Sequence, residues 1–341
     1  MATPPDTAAL AAFRAACTDQ GLLKQVDSLQ DGDVTDGIAD DATLLRFLEA
    51  RKMNAAAALE QFQQASKFRA EKNVLRIYDL MPVDDHEETR KMYPHWTGRR
   101  DRRGMPLMML DVAHLNGAAV TAWRKTHEMP VHTDVTLTPT INPDMAQRAS
   151  VHFDGLTRFV LPLCSALQGT QIPKSVYLID AATVSIRQAW ELRAFAQDIS
   201  GILTTCYPET IDKIFLCNIP FYFAQIWSFM KKFIDPVTAA KLVLLPSKEA
   251  YSTLAEEIEH EDIPVQFGGG FKFTNGMLPD LDKGIRQGLS WRSGPVKEAL
   301  PAGPIKWMEN EQGERRIVAT GTVADLQRAD EIAVLRPASV A

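Results

Sequence analysis

One short segment, residues 221–234, is apolar on nearly every side of the helix that its composition predicts. Only a narrow strip of glutamine, serine and two lysines is polar. A helix that is apolar almost all round lies in a core or against lipid, and about 20 apolar residues are needed to cross a bilayer. The segment is therefore too short to span a membrane, and it is either a core helix or a helix that meets an apolar ligand. Its large apolar side chains are Phe221, Tyr222, Phe223, Ile226, Trp227, Phe229, Met230, Phe233 and Ile234.

The composition is typical of a globular chain with enough material for a sizeable core. The 341 residues suit one large domain or two small ones, and 45% of them are hydrophobic while 23% are charged. The net charge of -6 argues against a general nucleic-acid binder, because such proteins carry a basic surface. We therefore expect no nucleic-acid partner.

The sequence contains no recognisable targeting or catalytic motif. Its start lacks the basic region and long apolar stretch of a signal peptide, and its four cysteines form no C-x-x-C pair. We therefore expect a reduced, cytoplasmic protein that meets membranes only at their surface. G-x-S-x-G and H-E-x-x-H are absent, and isolated histidines such as His114, His127, His132 and His152 are more often surface groups than catalytic ones. We expect no enzymatic activity and no metal or organic cofactor.

Apolar runs at 107–112, 175–180, 212–217 and 242–245 predict buried strands, and the segments between them favour helices. This alternation predicts an α/β fold with a mixed or parallel sheet. Among those segments, 186–206 reads as one long amphipathic helix.

A small helical unit is predicted ahead of the sheet. One helix covers 10–17, Asp40 or Asp41 caps a second, and Asn54 caps a third. Residues 78–94 read as a connection punctuated by proline.

Other parts of the chain are less clearly patterned. Residues 146–167 favour a helix that Pro162 kinks, since proline removes a backbone donor. Residues 113–143 carry no assignable pattern. Beyond Phe273 the chain is rich in glycine and proline, with strands expected only near 305–308 and 316–319.

A turn at 99–104 carries four arginines ahead of the first strand of the sheet. Basic residues near an anionic membrane contribute about 1 kcal/mol each, so this turn is a candidate lipid contact. A turn whose charges only improve solubility explains the same pattern. The residues alone leave both interpretations open.

Several motifs together resemble the CRAL-TRIO lipid-binding family, and specifically the fungal phosphatidylinositol/phosphatidylcholine transfer proteins. The resemblance extends over residues 40–273. The motifs are LLRFLEARKM at 44–53, GMP at 104–106, YPE at 207–209, NIPF at 218–221, DPVTAAK at 235–241 and IPVQFGGG at 263–270.

This resemblance implies a fold and a domain division. It predicts an N-terminal helical unit (1–80), a lipid-binding domain (81–273) and a C-terminal extension (274–341). In the lipid-binding domain, the helices against the mixed or parallel sheet are expected to form a hydrophobic pocket. The segment 221–234 is expected to be the helix that gates this pocket at the membrane surface.

The resemblance also implies binding residues. Arg51, Lys241, Thr238 and Glu209 match positions that hold the head group of phosphatidylinositol, with the two cations suited to its phosphate. From the residues alone, Glu209 and Lys241 could instead form a structural salt bridge. The expected lipid pocket includes Met108, Phe153, Ser175 and Tyr177, and the expected gate includes Phe221, Phe223, Ile226, Trp227, Phe229, Met230 and Phe233.

The expected phosphatidylcholine pocket departs from the family pattern. Positions where the family has tyrosines are Thr97, Met108 and Phe153 here, and a threonine of the family is replaced by Tyr177, although Ser175 is retained. Threonine and methionine offer no aromatic face to a quaternary ammonium group. We therefore expect phosphatidylinositol as one ligand and something other than phosphatidylcholine as the second.

Two other functions stay open at this point. The first is a carrier of an apolar ligand such as a sterol, an isoprenoid or a tocopherol-like compound. The second is a lipid-dependent regulatory scaffold, for which a phosphoinositide kinase is one candidate partner. In each case we expect a monomer that contacts phospholipid membranes transiently, at Golgi, endosomal or other surfaces.

Overall fold

The computed structural model describes residues 4–24, 29–126, 142–292 and 298–336. The helices are α1 Pro4–Asp19, α2 Asp41–Ala50, α3 Ala55–Glu71, α4 Val74–Leu80, α5 Val83–Arg90, α6 Gly117–Thr126, α7 Met145–Asp154, α8 Leu161–Gln168, α9 Ile186–Cys206, α10 Phe223–Met230, α11 Pro236–Ala239, α12 Ser247–Leu254 and α13 Lys283–Gln287. The strands are β1 His95–Arg100, β2 Pro106–Asp111, β3 Ser175–Asp180, β4 Ile211–Cys217, β5 Leu242–Leu245, β6 Leu289–Trp291, β7 Ile305–Glu309, β8 Arg315–Ala319, β9 Thr322–Val323, β10 Leu326–Gln327 and β11 Asp330–Leu335.

The main sheet has five strands in the order β1-β2-β3-β4-β5. Strand β1 is antiparallel to β2, and the other pairs are parallel. Helices connect the parallel strands, as parallel pairing requires. The predicted α/β class with a mixed sheet is confirmed, and the four predicted strands lie within one residue of β2, β3, β4 and β5.

The two faces of this sheet pack against different layers. Leu107, Leu178 and Phe215 face one cluster, which α12 and residues 258–273 complete. Met108 and Tyr177, neighbours in register on β2 and β3, face the larger cluster formed with the connecting helices. Because side chains alternate along a strand, consecutive residues reach opposite layers.

The N-terminal helices begin where their caps predict. Asp40 accepts a hydrogen bond from the backbone N–H of Thr43 at 2.9 Å, and Asn54 accepts one from Ala57 at 3.1 Å. Helix α1 is longer than expected and starts at Pro4, a residue suited to a first helical turn. Phe62 of α3 makes edge-to-face ring contacts with rings of α1 and α2, which joins the three helices.

The predicted single helix over 146–167 is two helices joined by a wider π-helical segment, Gly155–Val160. Pro162, expected to kink the helix, lies in the first turn of α8 just after this segment. Proline has no N–H for the carbonyl of Arg158, so the regular ladder is interrupted there. Among the isolated histidines of the sequence, His152 is on α7, while His127 and His132 lie outside the described residues.

Helices α5 and α6 form where no helix was expected. The α5 sequence, VDDHEETR, is polar and carries no apolar periodicity, so the prediction of a connection over 78–94 was wrong there. An ion pair between Glu87 and Arg90, one turn apart, holds this helix. Helix α6 lies in the stretch that the sequence left unassigned.

The C-terminal residues form a four-stranded antiparallel sheet in the order β6-β11-β8-β7, and the two strands expected there are β7 and β8. Lys306 on β7 is 2% exposed and lies 2.7 Å from Asp33 and 2.9 Å from Asp79. The indole N–H of Trp307 donates to the carbonyl of Phe159 at 3.2 Å. The extension is therefore bound to the body of the protein by buried polar contacts.

The basic turn does not present free charge. Each of its four arginines pairs with at least one carboxylate, mostly from residues 257–282. The pairs are Arg99 with Asp262 and Asp280, Arg100 with Asp282, Arg102 with Glu259, and Arg103 with Asp101, Asp212 and Glu257. The turn thus fastens residues 257–282 to the first hairpin of the sheet.

Candidate functional site

A cavity of about 90 Å³ lies where the N-terminal helices meet the sheet domain, and we call it the polar cavity. Arg51, Glu209, Thr238 and Lys241, the four residues expected to bind a head group, all line it. They come from distant parts of the chain. Typical small-molecule pockets have ~300–1,000 Å³, so a whole phospholipid does not fit within this cavity in the present conformation.

Left-handed backbone conformations position part of the cavity wall. Arg51 caps the C-terminus of α2, and Lys52 and Met53 follow it with φ values of 52° and 62°. Glu209 has a φ of 54° in the turn that leads from α9 to β4. Residues with a side chain adopt this conformation at a cost, and such residues concentrate at functional sites.

Glu209 and Lys241 form an ion pair, as one interpretation of the sequence predicted. Lys241 Nζ lies 2.9 Å from Glu209 Oε2 and 2.8 Å from the carbonyl oxygen of Ile211, and Lys174 Nζ lies 3.4 Å from the same carboxylate. Burial alone would raise the pKa of Glu209, but the hydrogen bond and charge of Lys241, helped by Lys174, lower it below its ordinary value. The carboxylate is therefore ionised at neutral pH.

Arg51 differs from the other charged groups of the polar cavity. It is exposed, and it forms no ion pair within the described residues. Asp235, by contrast, already has a hydrogen-bond partner, since it caps α11 and accepts a hydrogen bond from the N–H of Thr238 at 3.0 Å. The cavity therefore offers one guanidinium free to bind an anion, beside an ammonium that already has partners.

Two further residues of this cavity were missed by the sequence analysis. The ring of Tyr207 forms part of the wall, and its hydroxyl donates to Asp154 at 2.7 Å, next to the buried pair of Asp154 and Arg69. Gln61 on α3 also lines the cavity and is 3% exposed. The sequence signal that could have identified Gln61 is its position, because it is a polar residue on the apolar stripe of Ala58 and Ala65.

The residues expected to line a lipid pocket are buried in the large core, not in the polar cavity. Ser175 Oγ donates to the carbonyl of Thr210 at 2.9 Å, and burial raises the pKa of Tyr177 to about 12 despite its hydrogen bond with Ser175. The ring of Phe153 packs 5.5 Å from that of Tyr207. We call this region, around Met108, Phe153 and Tyr177, the apolar interior.

A second cavity, also of about 90 Å³, separates the apolar interior from the C-terminal extension. Met108, Trp96 and Phe159 form part of its apolar wall. Its polar wall includes three imidazoles, those of His86, His95 and His152. Burial lowers the pKa of His95 to about 4 and that of His152 to about 3, so these two are neutral at pH 7. Nδ1 of His95 faces the carbonyl oxygen of Tyr93, and Nε2 of His152 faces that of Pro94, so these two nitrogens carry the proton.

Helix α10 is shorter than the predicted 221–234. Phe221 precedes it and is 98% exposed, whereas Phe223 and Ile226 are buried against the body of the protein. Phe229 stacks on Trp190 with ring centres 5.5 Å apart, and Trp190 is 56% exposed. One side of the helix therefore packs on α9, and aromatic rings remain at the surface beside it.

Of the residues expected to form the gate, Phe233 lies beyond the C-terminal end of α10. Phe233 falls in the turn after α10, although its ring still contacts Phe229 at 5.1 Å. Trp227 and Met230 are partly buried and pack against the cluster beneath α10. The helix ends early because residues 231–234 form a turn before Asp235 starts the next helix.

Within residues 4–24, 29–126, 142–292 and 298–336, no helix is both long and apolar enough to cross a membrane. The same residues contain no group of three or more metal-binding side chains.

The fold and the site define an α/β ligand-binding protein, with a helical unit packed at one end of a mostly parallel sheet and a charged cavity at their junction. Comparison with known families is consistent with this class. Residues 90–269 match the CRAL/TRIO domain and residues 9–64 match the CRAL/TRIO N-terminal domain. The chain belongs to the CRAL/TRIO family.

Curated relatives support this assignment. The chain is 30% identical to the SEC14 cytosolic factor of Candida glabrata over 73% of its length and 77% of the relative. It is 31% identical to the SEC14 cytosolic factor of Yarrowia lipolytica, of which it spans only 43%. It is 27% identical to the phosphatidylinositol/phosphatidylcholine transfer protein SFH9 of Arabidopsis thaliana, across 84% of this chain and 46% of that protein.

A solved structure shares the fold. The crystal structure of Sfh5 superimposes with a TM-score of 0.52 at 15% sequence identity, covering 81% of this chain and 91% of that one. The domain matches and the Candida glabrata relative confirm the predicted membership of the CRAL-TRIO family, and this structure confirms the fold.

Proposed function

We propose that this protein binds phosphatidylinositol and exchanges it with membranes. The observation that carries the proposal is the convergence of Arg51, Glu209, Thr238 and Lys241 on one cavity. A relative named as a phosphatidylinositol/phosphatidylcholine transfer protein supports the choice of lipid. No chemical step is needed for this activity.

The charges of the polar cavity suit the head group in two parts. Arg51 has no competing ion pair among the described residues, so its planar guanidinium is the natural ligand for the phosphodiester. Lys241 adds a second positive charge, and the Glu209 carboxylate can accept hydrogen bonds from inositol hydroxyls. Thr238 contributes a hydroxyl to the same wall.

We propose that α10 opens at the membrane surface to admit the acyl chains. The polar cavity is too small for them, and the apolar interior is filled with side chains, so space must be created. The exposed rings of Phe221 and Trp190 lie beside α10, and Lys231 and Lys232 follow it. Exposed aromatic rings next to cations suit an interface with anionic lipid.

The second ligand is proposed to be a lipid other than phosphatidylcholine. Met108, Phe153, Ser175 and Tyr177 would contact it within the apolar interior, where no aromatic cage for choline is formed by these four residues. An apolar compound such as a sterol or isoprenoid would suit these side chains once α10 has opened. For such an apolar carrier, mass spectrometry of the lipid that copurifies with the protein is the direct test.

The proposed function also implies a location, an oligomeric state, a partner and a domain division for the protein. We propose a cytoplasmic monomer that visits phospholipid membranes, with a phosphoinositide kinase as a candidate partner. We also propose the division into a helical unit (1–80), a lipid-binding domain (81–273) and an extension (274–341). The extension would serve the lipid-binding domain as a wall, since its residues line the second cavity.

The decisive experiment is transfer of labelled phosphatidylinositol between vesicles by the wild type and by an Arg51→Ala, Lys241→Ala double variant. Hydrogen bonds to charged groups contribute ~1.5–3 kcal/mol each, so transfer should fall about a hundredfold or more. A Lys67→Ala, Arg315→Ala variant removes the same charge from two exposed surface sites and should transfer normally. Folded wild-type protein without transfer activity would favour the apolar carrier.

A further inference from the structure

Gln61 has an unusual environment for a polar side chain. It lies on the inward side of α3, is 3% exposed and lines the polar cavity. Its neighbours on this stripe of the helix, Ala58, Phe62 and Ala65, are apolar and fully buried. Glutamine is seldom buried in this way unless its amide has a specific task.

The amide nitrogen of Gln61 has a hydrogen-bond partner in the structure, and the amide oxygen has none among the described residues. Gln61 Nε2 donates to the backbone carbonyl of Thr204 at 2.7 Å, one of the last carbonyls of α9 that the helix itself leaves without a partner. A carbonyl only accepts hydrogen bonds, so the nitrogen must face Thr204 and the orientation of the amide is set. The oxygen, Oε1, is buried without a hydrogen-bond partner among the described residues.

The chemistry of Oε1 determines what can satisfy it. An amide oxygen accepts hydrogen bonds and cannot donate, so its partner must carry an O–H or N–H group. An ionised phosphodiester offers only acceptors, and a quaternary ammonium has no N–H group. A hydroxyl on a polyol head group is the partner that fits beside the cations Arg51 and Lys241.

We propose that Gln61 Oε1 accepts a hydrogen bond from a hydroxyl of the bound head group, which makes Gln61 a specificity-determining residue. Arg51 and Lys241 would bind any phosphodiester, whereas Gln61 would increase the affinity only for one that carries a polyol. The inference rests on the proposed function, because it assigns this residue to the same phosphatidylinositol site. It explains why a polar group occupies an otherwise apolar stripe of α3.

The test compares two lipids of equal charge. Phosphatidylinositol and phosphatidylmethanol are both phosphodiesters with one negative charge, but only the first has head-group hydroxyls. Affinity for each fluorescent lipid, supplied in phosphatidylcholine vesicles, is measured for the wild type and Gln61→Met. We expect phosphatidylinositol affinity to fall about tenfold and phosphatidylmethanol affinity to change by less than about twofold.

Matched variants separate this role from a structural one. Gln64→Met makes the same change at an exposed position of α3 and should leave both affinities unchanged. Gln61→Asn keeps a buried amide but withdraws it by one methylene group, so it should reduce discrimination even if Gln61→Met does not fold. Circular dichroism and thermal melting establish that each variant is folded.

The outcomes distinguish the two proposals. If the wild type binds neither lipid, the proposed function fails and this inference with it. If the wild type prefers phosphatidylinositol and the folded Gln61 variants keep the same ratio of affinities, only the role of Gln61 is overturned. A ratio that falls about tenfold in Gln61→Met and also falls in Gln61→Asn, but not in Gln64→Met, supports it.

Discussion

The two cavities have almost the same volume, but they differ in whether their charged groups have partners within the protein. In the second cavity, Glu87 and Arg90 pair with each other, and His95 and His152 hydrogen bond to backbone carbonyls. In the polar cavity, Arg51 has no ion pair within the described residues. Charges that pair within the protein depend on their partners, since removing one partner is costly, whereas an unpaired guanidinium is available to a ligand.

This difference separates a binding role from a structural one. The wall of the polar cavity includes Glu209, whose backbone has a left-handed conformation. The apolar interior, by contrast, is packed with side chains such as Phe153 and Tyr177. We therefore expect head-group recognition to be rigid and acyl-chain binding to require rearrangement.

The largest expected effect is on stability, at the buried ion pair of Arg69 and Asp154. This pair lies beside Tyr207, between the polar cavity and the apolar interior. Arg69 and Asp154 are 7% and 0% exposed, with Nη2 3.0 Å from Oδ2. Asp154→Asn leaves the arginine charge buried without its counter-ion, and should lower the free energy of unfolding by about 3–5 kcal/mol in urea titrations. Asp198→Asn, at a half-exposed pair, serves as the control and should change it by less than about 1 kcal/mol. A similar small loss in both variants would contradict the prediction.

The second cavity should show its structural role through pH. Burial alone would raise the pKa of Glu87, but His86, Arg90 and the N–H of Gly303 lower it from 4.5 to about 2. A lowered folded-state pKa means that this stabilisation is present above the unfolded pKa, and is lost as pH falls through about 2.

Glu87→Gln should therefore destabilise the protein by about 3 kcal/mol at pH 7, with a gap that narrows between about pH 4.5 and pH 2. Denaturant unfolding at several pH values measures this gap. Lipid transfer by the folded variant should stay near the wild-type rate, because Glu87 does not line the polar cavity. Glu88→Gln at the neighbouring exposed position is the control. A gap that is constant with pH would show that the carboxylate charge is not what stabilises the fold.

The smallest effect on stability is expected at Phe221. This ring is 98% exposed, so Phe221→Ser should change the free energy of unfolding by less than about 0.5 kcal/mol. If Phe221 enters the membrane interface, the variant should nevertheless transfer phosphatidylinositol several times more slowly. Val323→Ser, at a residue on β9 that is 51% exposed, should leave transfer unchanged. Equal rates for all three proteins would remove Phe221 from the membrane contact.

Much of the fold was predictable because its signals are local. The caps Asp40 and Asn54, the strand at 175–180 and the long helix at 186–206 each follow from patterns within a few residues. Helix α5 was not predictable in this way, because it has no apolar stripe and depends on contacts such as that of Glu87 with Gly303.

The candidate site was only partly predictable. Arg51, Glu209 and Lys241 were found through motifs, and the structure brings them to one cavity. Tyr207 stands within one of those motifs, yet its place in the wall depends on a hydrogen bond to Asp154, 53 residues away. Gln61 belongs to no motif and was identified only by its burial.

The sequence by itself determined the α/β class, the caps, the buried strands and the family, because periodicity and short motifs are properties of neighbouring residues. Only the tertiary structure decided which charges are free. The sequence left open whether the four arginines at 99–103 are available, but each of them pairs with a carboxylate more than a hundred residues away, as Arg99 does with Asp262. Arg51 looked similar in sequence, yet the fold places no carboxylate in ion-pair contact with it among the described residues. Pairing of distant charges depends on which segments pack together, and no local pattern encodes that.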